Sequence, residues 1–435
     1  MDAAIKELKK NVVIKAVKGL YRGQTRIDDD AGYRGEVKVC LERARLITQS
    51  YRETEGEPMV TRRAKALKKI LDGMTIYIQD KERLVGNMAA DANSLPLYPE
   101  LAWRWVEKAL DNEYQHLLSD EGKKELKEID KYWAKLSVHG MERGLVPEQY
   151  KIFTGYTPVS VFSYTWDMVL PNYEKILRVG LKGILDEVRQ RRERLDEEYM
   201  AESMTGVDFV KKRDELEGMA LSLEAAIRWA RRYAGLARET AEKETEPSRK
   251  QELERIADIC EWVPENPART FHEALQGYWL IHLIVNFIEI PMVGTGIRFD
   301  QVMSRFYEKD VEEGRIDRDR AQELVEFLIV KFQETGFLHA PLWSGFGGGT
   351  LGYQTVTLGG VDSQGKDITN EMSYIFMDAV KTVRAIVVGL PAPARARCCS
   401  RARRRSTSAW GATCARPTSR HAGCLRRPTR RWACR

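Results

Sequence analysis

Pro267-Ala268-Arg269-Thr270-Phe271-His272-Glu273-Ala274-Leu275-Gln276 leads into a run, Phe271 to Ile290, that is apolar on nearly every face of a helix. A helix apolar all round is a buried one, so this stretch predicts a large core with a helix inside it. Pro264 and Pro267 punctuate the approach. Further on, Tyr353-Gln354-Thr355-Val356-Thr357-Leu358 reads as a β-branched strand ending at Gly359-Gly360. Strands this few, short and apolar belong in the middle of a layered or barrelled core. The chain therefore reads as helix-rich α/β.

Working outward, residues 36–73 read as helical, with Val37, Val39, Leu41, Leu46 and Ile47 at helical spacing. Ile76-Tyr77-Ile78 and Leu84-Val85-Gly86-Asn87 read as two short strands around a turn at Asp80-Lys81. Pro99-Glu100-Leu101 opens another helix, with Pro at a favoured early position. Tyr173 to Tyr199 and Phe209 to about Thr245 are strongly helical. In the second, Leu216, Met219, Leu223, Ile227, Ala230 and Ala234 form one apolar stripe, and Lys212, Glu215, Arg228 and Arg231 a solvated face. Residues 319–335 and 369–383 are further helices, and Gly345-Phe346-Gly347-Gly348-Gly349 is a loop. No internal repeat occurs.

Composition changes at about Arg384. From Ala385 to Arg435 there are thirteen Arg and five Cys, with no Lys, Asp or Glu. Without those arginines the remaining 57 basic residues face 64 acidic ones, so the body is acidic and the end alone makes the chain +6. A folded domain seldom runs fifty residues without an acid or a lysine. The expectation is that 1–384 is the folded part, truncated, and that 385–435 is a disordered tail read out of frame. The alternative is an arginine-rich nucleic-acid arm on a non-enzymatic helical scaffold. The start lacks the apolar core of a signal peptide. No apolar run approaches the roughly 20 residues of a membrane span, and Cys40 and Cys260 stand alone in the body. These features place the protein in a reducing cytoplasm, away from membranes.

Short motifs do not decide the chemistry. His272-Glu273 begins like a zincin helix, but position 276 is Gln, so the second imidazole is missing. Gly347-x-Gly349-x-x-Gly352 has dinucleotide-fingerprint spacing, yet a strand follows it where a helix N-terminus must hold the pyrophosphate. No G-x-S-x-G elbow occurs, and no metal site is expected. Cys260 reads as a small buried side chain rather than a nucleophile.

Several stretches resemble the glycyl radical enzymes, the pyruvate formate-lyase-like family. Glu42 to Pro58, with Arg62-Arg63-Ala64 and Leu84-Val85-Gly86-Asn87, looks like the family's N-terminal region. Pro171-Asn172-Tyr173-Glu174-Lys175-Ile176-Leu177 with Gly180-Leu181, then Pro267 to Gln276, then Arg298-Phe299-Asp300-Gln301, are similar to later family segments. So are Leu358-Gly359-Gly360-Val361-Asp362 with Gly365, and Thr369-Asn370-Glu371. The matches run in family order from about residue 40 to 384.

The resemblance implies the first half of a ten-stranded barrel wrapped by helices. It implies a glycyl radical installed by a radical S-adenosylmethionine activating enzyme, a thiyl that takes hydrogen from a small-molecule substrate, and a homodimer when intact. Both radical elements lie downstream of the matched region in the family. Gly389, Gly411 and Gly423 and the tail cysteines lack the family surroundings, so no catalytic residue is assigned and this chain is expected to be inactive. The resemblance also points to pocket candidates: Trp166, Asp167 and Met168 ahead of the Pro-Asn-Tyr segment, Trp343, Gly347, Gly348, Gly349 and Gln354. Met168, where dehydratases of the family place a polar residue, reads either as an apolar pocket wall or as plain core packing. The first reading favours the branch of benzylsuccinate and alkylsuccinate synthases or arylacetate decarboxylases. The alternatives are formate acetyltransfer and glycyl radical dehydration.

Overall fold

The computed structural model describes residues 3–11, 38–101, 117–145, 147, 149, 170–290, 297–336, 354–383 and 388–389. In chain order these form α1 (Ala3–Asn11), β1 (Lys38–Cys40), α2 (Glu42–Glu53), α3 (Met59–Gly73), β2 (Ser94–Pro96), α4 (Asp120–Leu136) and α5 (Val138–Leu145). They continue with α6 (Tyr173–Met200), α7 (Gly206–Lys243), α8 (Pro247–Trp262), α9 (Phe271–Leu283), β3 (Ile297–Arg298) and α10 (Phe299–Glu312). The series ends with α11 (Arg318–Glu334), β4 (Gln354–Thr357), α12 (Glu371–Val383) and β5 (Val388–Gly389).

The apolar run dictates the centre. Every residue of α9 except His272 is buried, and the helix packs against α6, α8, α10 and α11. It starts where Thr270 accepts a hydrogen bond from the Glu273 amide at 3.2 Å, while the Glu273 carboxylate accepts from the Arg269 amide at 2.6 Å. This reciprocal capping satisfies donors that a helix start leaves orphaned. At its other end α9 widens into a π turn, Ile284–Ile288. The carbonyls released there are taken up by side chains. Tyr98 donates to Phe287 O, and Arg43 donates to Ile288 O at 2.7 Å and Glu289 O at 2.8 Å.

The strands are short and parallel. β1 pairs with β2 (Val39 opposite Leu95), and β4 lies between β3 and β5 (Ile297 opposite Val356, Gln354 opposite Val388). Leu95 and Val356 are buried, as expected for parallel strands covered on both faces. The helix-rich α/β architecture read from the sequence is the one found. Among the described residues no helix is long and apolar enough to cross a membrane, and no group of His, Cys, Asp and Glu could hold a metal ion.

Stretches that carry the resemblance meet in space. The Asp300 carboxylate accepts from the Gly359 amide at 2.6 Å and from the Ser373 hydroxyl, and the Asp300 carbonyl accepts from Asn370 Nδ2 at 3.3 Å. Gly180 sits at φ 71° inside α6, and a Cβ there would stand 2.2 Å from the Glu265 carbonyl oxygen. That close approach lets Leu181 and Lys182 donate to Pro264 O and Glu265 O at 2.8 and 2.9 Å.

Three expectations change. Residues 36–73 are not one helix: Lys38–Cys40 is a strand, and the chain breaks between Glu53 and Met59 before α3. Residues 76–78 and 84–87 form no regular strand and join no ladder among the described residues. The Gln276 carboxamide takes the place of a neighbouring strand, accepting from Val85 N at 2.9 Å and donating to Val85 O at 2.8 Å. On α7, Ile227, Ala230 and Ala234 are buried, but Met219 is exposed. The seam turns through Gly218, where Val60 and Ala64 of α3 approach, so the packing partner rather than the period selects the face. The helix expected from Pro99 runs beyond Leu101, outside the described residues.

Candidate functional site

Residues 77–92 fold over α9 and the end of α11 and bound a small cavity of about 10 Å³, the space of about one water, lined by Tyr77, Asn87, Asp91, Trp279, Glu334 and Thr335, among others. Gly86 lets the segment approach: it has φ 138°, and a Cβ there would stand 2.9 Å from Trp279 Nε1 and 2.8 Å from Leu283 Cδ1. Any side chain at 86 would therefore push the indole aside. Trp279 Nε1 is buried without a hydrogen-bond partner.

A buried hydrogen-bond line starts at Thr335 and runs away from the cavity. Gln354 Nε2 donates to Thr335 Oγ1 at 3.3 Å, and the Thr335 hydroxyl donates to Phe332 O at 2.8 Å. The Gln354 Oε1 then faces His282 Nε2 at 2.6 Å. His282 Nδ1 is 3.1 Å from the Tyr173 hydroxyl and 3.2 Å from Asn286 Nδ2. The network is satisfied if Nε2 carries the proton and Nδ1 is bare, an assignment that follows from the partners. Burial pushes His282 down to about 4, so the ring is neutral near pH 7. Such a ring can accept a proton on one nitrogen and release one from the other. Asn286 Oδ1 is fully buried and unpaired.

On the cavity's other side lies an ionic trio. Lys331 Nζ donates to Glu334 Oε2 at 2.5 Å and to Glu82, while Gln79 donates to both carboxylates, through its amide to Glu82 Oε2 and its Nε2 to Glu334 Oε1, each at 2.8 Å.

Of the pocket candidates, Gln354 is described: it is buried at the start of β4 and belongs to the line above. Trp166, Asp167, Met168, Trp343, Gly347, Gly348 and Gly349 lie outside the described residues. The sequence reading missed Trp279 and His282 on α9 and Asn286 in the π turn after it, whose spacing was legible but merged into a run taken as core. Cys40 and Cys260 are both buried, and burial pushes both thiols up. Neither lines the cavity, and no thiol among the described residues is placed to relay a radical.

Residues 4–388 match the pyruvate formate lyase-like family. The chain is 34% identical over 362 residues to an isethionate sulfite-lyase of Nitratidesulfovibrio vulgaris, covering 78% of this chain and 42% of that protein. It is 32% identical to a trans-4-hydroxy-L-proline dehydratase of Clostridioides difficile, covering 81% and 45%. The glycerol-bound B12-independent glycerol dehydratase of Clostridium butyricum superposes with a TM-score of 0.77 at 31% identity, over 90% of this chain and 47% of that one. The chain thus spans about half the length of the relatives it matches. By their names, none of these three adds fumarate or decarboxylates an arylacetate; an indoleacetate decarboxylase of Tractidigestivibacter scatoligenes matches at the lower identity of 24% over 385 residues, so the apolar-substrate branch expected from Met168 is not confirmed.

Proposed function

We propose that this chain, which belongs to the pyruvate formate lyase-like family of glycyl radical enzymes, is part of an anaerobic lyase that breaks a C–O or C–S bond in a small hydroxylated substrate. The observation that carries the reading is the 34% identity to an isethionate sulfite-lyase together with the 32% identity to a hydroxyproline dehydratase, each over about four-fifths of the chain. Both names describe loss of a heteroatom group. An elimination of this kind needs a proton delivered to the leaving group and substrate held without bulk water. The neutral, fully hydrogen-bonded His282 and the buried Gln354 beside it suit a site where groups donate and accept hydrogen bonds without carrying charge. The radical itself would come from elements outside the matched segment, installed by a radical S-adenosylmethionine activating enzyme, and the intact protein would be a homodimer.

Residues after about 389 are read as the out-of-frame end of this protein, later than the break at Arg384 alone suggests, since Val388–Gly389 pair with β4 and the family match reaches 388. The composition break at Arg384 supports this, as does a family match that stops at residue 388. The test begins with the nucleotide sequence around codon 384 translated in all frames. A frame that continues into a cysteine loop and a C-terminal glycine motif is expected. The full-length product, activated anaerobically, should release sulfite from isethionate or dehydrate glycerol or hydroxyproline. A full-length product that turns over none of these but adds fumarate to a hydrocarbon would overturn the elimination reading.

A further inference from the structure

Glu82, Lys331 and Glu334 form an ionic trio with side chains 1%, 3% and 7% exposed. Two carboxylates share one ammonium, so the fully ionised trio carries one buried excess negative charge. Taking an uncompensated charge out of water is strongly unfavourable. Among the described residues, the other groups facing it do not cancel this. Tyr77, Tyr233 and Cys260 are held protonated by burial and add no charge, and Asp91 adds a further acid towards Tyr77. The Arg249 guanidinium reaches the segment at carbonyls, Glu82 O at 2.8 Å and Gln79 O at 3.1 Å, while its charge is taken by Glu252 at 3.2 Å. Glu252 belongs to a second ion network with Arg83, Glu323 and Arg320, whose side chains are 14–32% exposed and better screened.

The trio also has a mechanical position. Through Gln79, whose amide and side chain both donate into it, it fixes the start of the 77–92 segment. That segment forms one wall of the cavity, and Glu334 forms part of the facing wall. We propose that the Glu82–Lys331–Glu334 trio is a proton-operated latch: with one proton held between the carboxylates it clamps residues 77–92 onto α11, and loss of that proton loosens the cavity wall. This does not depend on the proposed elimination chemistry.

Burial pushes the Glu82 carboxyl up to about 7, against the pull of Lys331 and with the push of Glu334. An acid raised in the folded state binds more protons folded than unfolded. The latch is therefore fully closed below the ordinary glutamate range and weakens as pH rises through about 7.

The experiment is hydrogen exchange of the full chain followed peptide by peptide between pH 6 and 8.5, corrected for intrinsic rates. Peptides covering 77–92 should lose protection several-fold on the alkaline side while those of α9 hold theirs. Glu82→Gln, which supplies a permanently neutral partner, should flatten that profile. Should the variant not fold, Glu334→Gln tests the same charge balance, and infrared spectroscopy of the unmodified chain should reveal a protonated carboxyl band that fades through pH 7. A pH-independent 77–92 segment, or a profile unchanged in the folded variants, or the absence of that band at pH 6, would overturn the latch.

Discussion

His282 shows how one side chain couples burial to pH. Its pKa is lowered to about 4 by burial, so the folded state binds fewer protons than the unfolded state, where histidine titrates near 6.5. The stability tied to the neutral ring is present above about 6.5 and is lost as pH falls towards 4. Between pH 7 and 5 the loss from this residue should be about 2 kcal/mol. Urea denaturation at the two pH values measures it, and His282→Gln should show a smaller difference than the parent. Gly180 makes a second, sterically simple case. Gly180→Ala forces a Cβ into a carbonyl oxygen and a side chain into a left-handed φ. Loss of about 3 kcal/mol or more, comparable to overpacking combined with backbone strain, is expected in the same assay. A change below 1 kcal/mol would show that the 264–266 loop yields.

Among the elements, α9 organises its neighbours through side chains that stand in for backbone. Gln276 completes the hydrogen bonds of Val85, so Gln276→Ala leaves a buried N–H and C=O unpaired. A cost of about 2–4 kcal/mol follows, with exchange protection lost first at residues 84–87. Thr270→Ala removes a cap that α9 uses at its first turn, at a cost of about 1 kcal/mol. Calorimetry should separate the two by their size. The helices α6, α7, α9, α11 and α12 were legible because helical period and capping are local. The misread segments at 76–78 and 84–87 were not: Val85 is satisfied by a glutamine nearly two hundred residues away, and the Tyr77 amide donates to the Asn87 side chain.

For the whole molecule, the charge break at Arg384 sets the expectation. The proposed out-of-frame end, with thirteen Arg, no acids and few large aliphatics, has a composition unsuited to forming a packed core. Trypsin under native conditions should remove residues beyond about Arg395 before it cuts the body, and a protease-resistant end would count against the out-of-frame reading. Anaerobic incubation of this chain with an activating enzyme and S-adenosylmethionine should give no glycyl doublet by electron paramagnetic resonance.

The sequence alone determined the family, because ordered motifs such as Arg298-Phe299-Asp300-Gln301 and Leu358-Gly359-Gly360-Val361-Asp362 are specific as a set. It also determined the central buried helix, since a run apolar on nearly every face has nowhere else to go. Of the pocket candidates it offered, Gln354 can be placed, and its meaning came only from the tertiary structure. Strand β4 brings Gln354 against His282 of α9, and the chain end of α11 brings Thr335 and Glu334 against residues 77–92. Which polar side chains share a buried space depends on how helices far apart in sequence pack, and no local period encodes that.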